Sequence, residues 1–420
     1  MTETKTETRK EQIVNAAFTV WGETHFTDTS LARVSSYLGV TKQALYRHIA
    51  GKEELLTEME RQFAGDLHAI IDEFEAKAAG VSFSAAVSRY VELLFDFFSA
   101  HPYYYLYLSL HLAQLPANQG PAFHRVRERH QTVLANVLRR SRAVDPGRIS
   151  MAAHFLSMTG FLWMASCFWT EDGHRREAVV GRAELAERRE LAVRIVLGGL
   201  FPDTPRRLPF GEIEANASVA PEELPERNRI LTAIAEVVTE QGFEQATVER
   251  IAERAGMSKS SLYFYFRNRA EMMASMLVPE HERLMDLVEA RAARFADFGS
   301  QLYAFMVVTA SYAAQSRAIL TALDWLRFHR IRVQIGGVPK RRPIYGFLAE
   351  RLARVDFADP RLEELEVVAY LHHLIMRPVL ERGAGEGPAA DPDLQQLFRR
   401  IRLLYPMVVG GLANMKENEK

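Results

Sequence analysis

The sequence predicts an all-α protein made of two tandem units, and three observations lead to this fold class. Apolar residues recur with the period of helices, while alternating strand patterns joined by hairpin turns are missing. The chain also aligns with itself over 47 residues without a gap. Finally, five prolines crowd into the segment between the two copies, and a chain of 420 residues is expected to divide its core.

Composition and charge exclude several classes of protein. Hydrophobic residues make up 48% and charged residues 25% of the chain, which is typical of a globular protein. The net charge of −1 argues against a protein that coats nucleic acid without sequence preference, so any DNA contact must be local. A single cysteine, Cys167, excludes an intrachain disulfide. The polar start of the chain and the short apolar run 155–169 predict neither a signal peptide nor a membrane span, so we expect a cytoplasmic protein without a membrane partner.

The repeat is the strongest organising feature of the chain. A shift of 217 residues aligns Ile13–Met59 with Ile230–Met276, and twelve positions are identical where average composition predicts roughly three. The identical positions of the first copy are Ile13, Ala16, Val20, Glu23, Phe26, Arg33, Gly39, Lys42, Leu45, Tyr46, Glu54 and Met59. The chain therefore contains the same module twice.

The segment between the copies predicts a domain boundary. Its prolines exclude a continuous helix and favour a semi-rigid linker. These prolines are Pro202, Pro205, Pro209, Pro221 and Pro225. We therefore divide the chain into a first head (1–55), a first helical body (56–200), a Pro-rich linker (201–225), a second head (226–272) and a second helical body (273–420).

Each head predicts three helices with a sharp turn between the second and the third. A hydroxyl residue can cap the second helix, a glycine can end it in a left-handed turn, and another hydroxyl residue can cap the third. These residues are Ser30, Gly39 and Thr41 in the first head and Thr247, Gly256 and Ser258 in the second. The third helices are predicted over Lys42–Ile49 and Lys259–Phe266. Two short helices joined by such a turn form a helix-turn-helix, whose second helix enters the major groove of DNA.

The heads resemble the tetracycline-repressor (TetR) family of bacterial regulators, through the stretches LARVSSYLGVTKQALYRHIAGKEELL and VERIAERAGMSKSSLYFYFRNRAEMM. The resemblance implies a three-helix DNA-binding head, a long fourth helix, and a variable helical body for ligand binding and dimerisation. Usual members carry one head per chain and dimerise. Two heads in one chain therefore imply a covalently fused pseudo-dimer, which acts alone or as a further homodimer.

The resemblance also implies that the last two helices of each body pair as a four-helix bundle. Residues 149–169 and 185–200 would then pair with 362–380 and 394–412. The glycine pairs 198–199 and 410–411 either allow these helices to approach closely or simply end them.

Family roles carry over to the start of each third helix, the recognition helix. The resemblance places six residues at base edges: Lys42, Gln43, Ala44, Lys259, Ser260 and Ser261. Lysine can donate to guanine, glutamine can pair with adenine, and an alanine methyl can pack on thymine. Contacts to the DNA backbone fall to Thr41, Tyr46, His48, Lys52, Ser258, Tyr263, Tyr265 and Arg269. A solvated helix face without DNA is the alternative interpretation.

The two recognition helices differ in sequence, KQALYRH against KSSLYFY. An ordinary homodimer has identical heads and reads a palindrome. Unlike heads predict an asymmetric operator with two different half-sites. The second head also departs from the family pattern at Arg269 and Ala270, where the family has a lysine and an acidic residue.

The first body is rich in aromatic residues, which predicts a pocket for a small apolar or aromatic effector. The candidate ligand contacts are Tyr107 and Trp163 in the first body, and Trp325, His329, His372 and Met376 in the second. Ordinary hydrophobic core is the alternative interpretation for each of them. His372 and His373 are adjacent and point about 100° apart on a helix, so they make a poor metal pair.

Signatures of enzymes are missing from the sequence, including H-E-x-x-H, G-x-S-x-G, a P-loop and paired cysteines. We therefore expect no catalytic residue, no metal and no cofactor. The sequence predicts a DNA-binding transcriptional regulator that acts as a repressor. Its partners are a double-stranded DNA operator and a small-molecule effector. The alternative is a helical ligand-sequestering or protein-interaction module whose heads are partly or wholly vestigial.

Overall fold

The computed structural model of the chain describes residues 8–23, 30–113, 121–168, 180–224, 229–241, 246–261, 269–316, 318–319, 321–322, 346–362, 364–380, 393–413 and 415. Within these ranges all regular secondary structure is helical and no strand is present, which confirms the predicted all-α fold. None of the helices so described is long and apolar enough to cross a membrane.

The first head and its body run from α1 to α9. The head holds α1 (Arg9–Glu23), α2 (Leu31–Tyr37) and α3 (Lys42–Tyr46), and α4 (Lys52–Lys77) leads into the body. The body continues with α5 (Phe83–Ala100), α6 (Pro102–Ala113), α7 (Pro121–Ser141), α8 (Ile149–Met164) and α9 (Arg182–Gly198). Helix α3 is shorter than predicted, because Arg47 and His48 already form the turn that leads towards α4.

The second half repeats this order after a short helix, α10 (Phe210–Ala217). Its head holds α11 (Arg229–Gln241), α12 (Val248–Arg254) and a helical turn at 259–261. The rest of the predicted recognition helix, residues 262–268, lies outside the described residues. The body holds α13 (Arg269–Ala292), α14 (Phe298–Gln315), α15 (Gly346–Leu352), α16 (Glu364–Leu380) and α17 (Leu394–Gly410).

The Pro-rich stretch between the halves contains a short helix between two of its prolines. Helix α10 fits between Pro209 and Pro221, where the sequence has no proline to interrupt it. The helix packs along α14. Its buried Glu214 accepts hydrogen bonds from the Tyr303 hydroxyl, at 2.5 Å, and from Arg402 Nε, at 2.6 Å. The stretch is therefore part of the second body.

The last two helices of each body pack against those of the other half. Helix α8 contacts both α16 and α17, and α17 also contacts α9. The Thr159 and Tyr370 hydroxyl oxygens lie 2.8 Å apart in this interface, and the ring of Trp163 lies 5.4 Å from the Tyr370 ring. Nearby, Arg188 donates to Glu366 at 2.8 Å. These contacts bring the last two helices of both halves together.

Gly199 and Gly411 lie where the halves approach most closely. Both have left-handed φ angles, 77° and 64°, and both end a helix. A Cβ on Gly199 would lie 2.4 Å from Val409 O, and a Cβ on Gly411 would lie 2.4 Å from Leu197 O. Reciprocal backbone hydrogen bonds of 2.8–3.1 Å follow each glycine: Leu200 N to Val408 O, Phe201 N to Val409 O, Leu412 N to Val196 O and Ala413 N to Leu197 O. The glycines thus end their helices and also allow the close approach.

The buried side chains of the described residues form two hydrophobic clusters. The larger runs through the first head and both bodies. In it, Phe18 and Trp21 of α1 meet Tyr107 of α6 edge to face, with ring centroids 5.3 and 5.7 Å apart. The smaller cluster lies in the second head, where Ile234 and Ile251 are grouped with Met276 at the edge of the second body. Among the described residues, the first head therefore shares one cluster with its body, while the second head forms a smaller cluster with Met276, Leu277 and Ala322 of the second body.

Candidate nucleic-acid interface and cavity

The first head is built by short-range contacts that the sequence encodes. The Ser30 hydroxyl accepts from Arg33 N at 3.3 Å and caps α2. Gly39 follows with a φ of 65°, a conformation that costs glycine little. The Thr41 hydroxyl then accepts from Ala44 N at 3.2 Å and caps α3. These contacts confirm the predicted capping roles and fix the direction of the recognition helix.

Helix α3 presents its polar face to solvent. Lys42 and Gln43 are exposed, whereas Leu45 is buried in the head. The Lys42 ammonium lies 5.7 Å from the centre of the Tyr46 ring, one helical turn later, within the range of a cation–π contact. Tyr46 itself is 45% exposed. A positive charge and a phenol therefore stand side by side on the surface.

The other first-head candidates lie around this face. Thr41 and His48 are exposed, Ala44 is half-buried, and Lys52 is half-buried at the start of α4. Tyr37, at the end of α2, is 56% exposed, and the sequence analysis did not select it. In the sequence, Tyr37 could have been recognised as an aromatic residue that follows two polar residues close to the turn.

The carboxylates of α4 are held by groups outside the recognition helix. Lys10 of α1 pairs with Glu54 at 3.1 Å and with Glu58 at 3.0 Å, and these hydrogen bonds lower the pKa of Glu54 and raise that of Lys10. Backbone hydrogen bonding by Ala50 N contributes most to the lowered pKa of Glu54. Glu60 accepts from Phe123 N, at 3.0 Å, at the start of α7. These acidic residues support the head's packing.

The second head repeats the turn but holds its lysine differently. Gly256 has the same φ, 65°, and the Ser258 hydroxyl accepts from Ser261 N at 2.9 Å. Ser260 and Ser261 are exposed. Lys259 forms an ion pair with Glu249 of α12, and this hydrogen bond lowers the pKa of the glutamate. The equivalent of Glu249 in the first head is Ala32, so Lys42 has no such partner at that position.

A second ionic contact distinguishes α12 from α2. Arg254 pairs with Glu240 and, at 3.2 Å, with Glu236, both on α11. Its hydrogen bonds to Glu240 and then to Glu236 raise the pKa of the arginine. The equivalent position in the first head is the exposed Tyr37. Basic side chains of the second head are thus engaged with acidic neighbours on its own helices.

The remaining predicted site residues fall at the edge of, or beyond, the described residues. Tyr263 and Tyr265 lie outside the described residues. Arg269 begins α13, and only its backbone is described. Trp325 and His329, predicted as ligand contacts, also lie outside the described residues.

Comparison with protein families agrees with this geometry. The model of the bacterial regulatory proteins of the tetR family matches residues 13–59 and again residues 230–276. Both heads belong to the tetR family. The two matches cover the aligned repeat, so the tetR-family head occurs twice in one chain.

Curated relatives match parts of the chain. The Fatty acid metabolism regulator protein of Bacillus subtilis is 29% identical over 65 residues, which cover 16% of this chain and 34% of that protein. The HTH-type transcriptional repressor KstR of Mycolicibacterium smegmatis is 34% identical over 95 residues, 23% of this chain and 46% of that protein. The HTH-type transcriptional regulator SrpR of Pseudomonas putida is 33% identical over 58 residues, 14% of this chain and 27% of that protein. The chain spans less than half the length of each of these relatives.

Behind the first tetR-family head, the first body encloses a cavity of about 530 Å³. This volume suits a small organic ligand. Side chains of α4 to α8 form its wall, which is mainly aromatic and aliphatic and includes several polar groups. The lining residues are Leu67, Tyr90, Leu94, Phe98, Leu108, Phe123, Val126, Arg127, Glu128, His130, Gln131, Thr132, His154, Ser157, Met158 and Phe161.

Three of these side chains, Tyr90, His130 and Ser157, lie together in the wall, and we call them the polar trio. The Tyr90 hydroxyl lies 2.8 Å from His130 Nε2, and Ser157 interacts with the same hydroxyl. The Tyr90 and His130 rings stack with centroids 5.7 Å apart. Burial lowers the pKa of His130 to about 4 and raises the pKa of Tyr90. The trio is therefore uncharged at neutral pH.

The ligand contacts predicted from the sequence lie elsewhere. Tyr107 does not line this cavity, since its ring packs against α1. Trp163 faces Tyr370 of the other half. His372 and Met376 are half-buried on α16, away from the cavity wall. Tyr107 therefore packs against the head, and Trp163 packs in the interface between the halves.

Sequence reasoning missed the residues that give the cavity its polarity. His130 lies on the apolar stripe of α7, between Val126 and Val133 and in register with Phe123 and Val137. A histidine at such a position must face the protein interior. This polar residue within an apolar stripe could have identified the cavity wall from the sequence.

Proposed function

We propose that the chain is a sequence-specific DNA-binding regulator that represses transcription and reads an asymmetric operator with two unlike recognition helices. The observation that carries the proposal is the paired tetR-family heads, whose recognition helices begin with the exposed residues Lys42 and Gln43 and with Lys259 and Ser260. The matched relatives include a transcriptional repressor and a transcriptional regulator, which supports the proposal. Because the two helices carry different side chains, they favour different bases.

We further propose that one chain forms a pseudo-dimer. The packing of α8 and α9 with α16 and α17 supports this arrangement, as do the reciprocal hydrogen bonds after Gly199 and Gly411. Each half uses the same end of its last helix in this contact, as the two subunits of a symmetric dimer would. The covalent connection then sets the ratio of the two unlike heads at one to one.

Control by a small effector is part of the proposal, and the cavity of the first body is its site. Helix α6 links the cavity to the first head, because Leu108 lines the cavity while Tyr104 and Tyr107 contact Phe18 of α1. A ligand that shifts α6 would move α1 and change the position of the head. The effector and the operator are then coupled through a free energy that each exerts on the other's binding.

The experiment that tests this function selects preferred sites from random duplex DNA with the full-length protein, after its mass in solution has been determined. We expect a monomer to enrich one site with two unlike half-sites. Enrichment of a perfect palindrome by a single chain would contradict the asymmetric operator. If no duplex is enriched, even at low salt, the regulator function is wrong.

The ion pairs of the second head favour a second candidate, in which this head is partly vestigial and only the first binds DNA. Salt dependence separates the two functions, because each phosphate contact steepens the fall of log affinity with log salt concentration. A slope that stays the same when the duplex is shortened to remove the second half-site would support the one-headed function. A shallower slope on the shortened duplex would support two working heads.

A further inference from the structure

The polar trio supplies at least one more hydrogen-bond donor than it uses internally. Ser157, Tyr90 and a neutral imidazole at His130 carry one polar hydrogen each. The hydrogen bond between Tyr90 and His130 uses one of the three hydrogens, and the interaction of Ser157 with the Tyr90 hydroxyl uses at most one more. This count holds for either imidazole tautomer and either direction of the hydroxyl bonds. At least one donor therefore has no partner within the trio.

The remaining wall makes a charged ligand group unfavourable beside the trio. Arg127 and Glu128 both line the cavity and both contact His124, at 3.2 and 3.1 Å, so a cation and a carboxylate lie close together on this wall. The imidazole of His130 stays neutral because burial depresses its pKa. A carboxylate beside the trio would lose its hydration without gaining a cation there, whereas a carbonyl or hydroxyl oxygen needs only one donor.

We propose that the effector of the first body is an uncharged, mainly aromatic or aliphatic molecule that presents a carbonyl or hydroxyl oxygen to the polar trio. This inference rests on the proposed role of the cavity as the effector site. The aromatic and aliphatic wall supplies most of the contact area, and the trio orients the ligand. Ligand sites of this kind combine an apolar lining with a few placed polar groups.

The equivalent helix of the second body lacks this anchor. Helices α5 and α14 begin after the capping residues Ser82 and Asp297, and both contain 18 residues. That register places Phe305 at the position of Tyr90. A phenylalanine has no hydroxyl, so the trio is not repeated at this point of α14. The inference therefore concerns the first body alone.

The test compares three ligands of nearly the same shape, each titrated directly into full-length protein without DNA. Acetylnaphthalene carries a carbonyl oxygen, ethylnaphthalene has none, and naphthoate carries a charge. We expect acetylnaphthalene to bind about tenfold more tightly than ethylnaphthalene, as one buried hydrogen bond predicts. Replacing all three donors, in the variant Tyr90→Phe/His130→Leu/Ser157→Ala, should remove this difference, and binding of ethylnaphthalene to that variant checks that the cavity is intact.

Tyr370→Phe is the matched control, since its hydroxyl is also buried but bonds to Thr159 outside the cavity wall. It should leave the tenfold preference intact. The inference is overturned if naphthoate binds most tightly and loses its affinity in Arg127→Ala. Equal affinities for acetylnaphthalene and ethylnaphthalene, or no binding of any of the three, would also overturn it.

The outcome is separable from that of the proposed function. Operator binding without ligand is measured on the same protein samples, so a failed ligand series leaves the DNA-binding result standing. Conversely, the expected order of ligands with no change in operator affinity would uphold the inference and contradict effector control.

Discussion

In the first head the recognition lysine lies against an aromatic ring, whereas in the second it lies against a carboxylate. Lys42 contacts Tyr46 on its own helix, and Lys259 pairs with Glu249 on the preceding helix. A cation–π contact leaves the ammonium group attractive to DNA, but an ion pair must be broken or shared before a base or phosphate is bound. We therefore expect the two heads to differ in their affinity for DNA, although they share a fold and a lysine at the same position.

The heads also differ in how they join the rest of the molecule. The first head shares its core with the body through Phe18, Trp21 and Tyr107. Among the described residues, the second head forms a smaller cluster of its own with Met276 and Leu277 of α13 and with Ala322. We infer that movements of the first body reach the first head more directly, and that the second head can unfold more independently.

The largest expected effect comes from removing each recognition lysine in turn. Lys42→Ala should weaken operator binding about tenfold to hundredfold, because a base-edge contact is worth roughly 1–3 kcal/mol. Lys259→Ala should weaken it only about threefold. Lys259 must give up its exposed ion pair with Glu249 before it contacts DNA, so it contributes less to the binding free energy than Lys42 does. Titration of the selected operator by fluorescence anisotropy measures both.

Lys77→Ala is the control for these variants, since it removes the same charge at the far end of α4. It should leave operator binding unchanged. Equal losses for Lys42→Ala and Lys259→Ala would contradict the difference between the heads.

A smaller effect should follow from exchanging the residue that opposes the lysine. Glu249→Ala should strengthen binding about threefold and steepen the salt slope by about one, because Lys259 becomes available to phosphate. Ala32→Glu introduces the carboxylate at the equivalent position of the first head and should weaken binding by a similar factor. Operator titrations at several salt concentrations measure both changes.

Glu73→Ala provides the matched control, because this carboxylate pairs with Lys77 away from both recognition helices. Its salt slope should equal that of the unmodified protein. An unchanged slope in Glu249→Ala would show that the ion pair does not restrain Lys259.

The smallest effect concerns the turn glycines. Gly39→Ala and Gly256→Ala should each cost about 1 kcal/mol, because both residues have a φ of 65° that an alanine adopts only with strain. A Cβ on Gly39 meets nothing within 4 Å, and a Cβ on Gly256 meets only the mobile end of Arg229. In thermal unfolding, Gly39→Ala should lower the transition of the whole first half, and Gly256→Ala should lower a transition of the second head alone.

Gly65→Ala is a control of opposite sign, since this glycine lies inside α4 without crowding and alanine favours a helix by up to about 1 kcal/mol. It should raise the transition of the first half. A single transition that shifts equally for both turn glycines would contradict the separate cluster of the second head.

The sequence by itself determined the features that depend on near neighbours. The caps at Ser30 and Thr41 and the turn at Gly39 involve contacts three or four residues apart, so local chemistry specifies them. The repeat specified the second head in the same way. Helical period also showed which faces are buried, and hence the all-α fold.

Only the tertiary structure decided what each buried face meets. Tyr107 and Trp163 look alike in sequence as aromatic residues on apolar faces, yet one packs on the head and the other on the opposite half. The polar trio joins α5, α7 and α8, and the pairing of Lys259 with Glu249 joins two helices of one head. Periodicity reports the direction of a side chain but not its partner, because the partner depends on how distant helices pack.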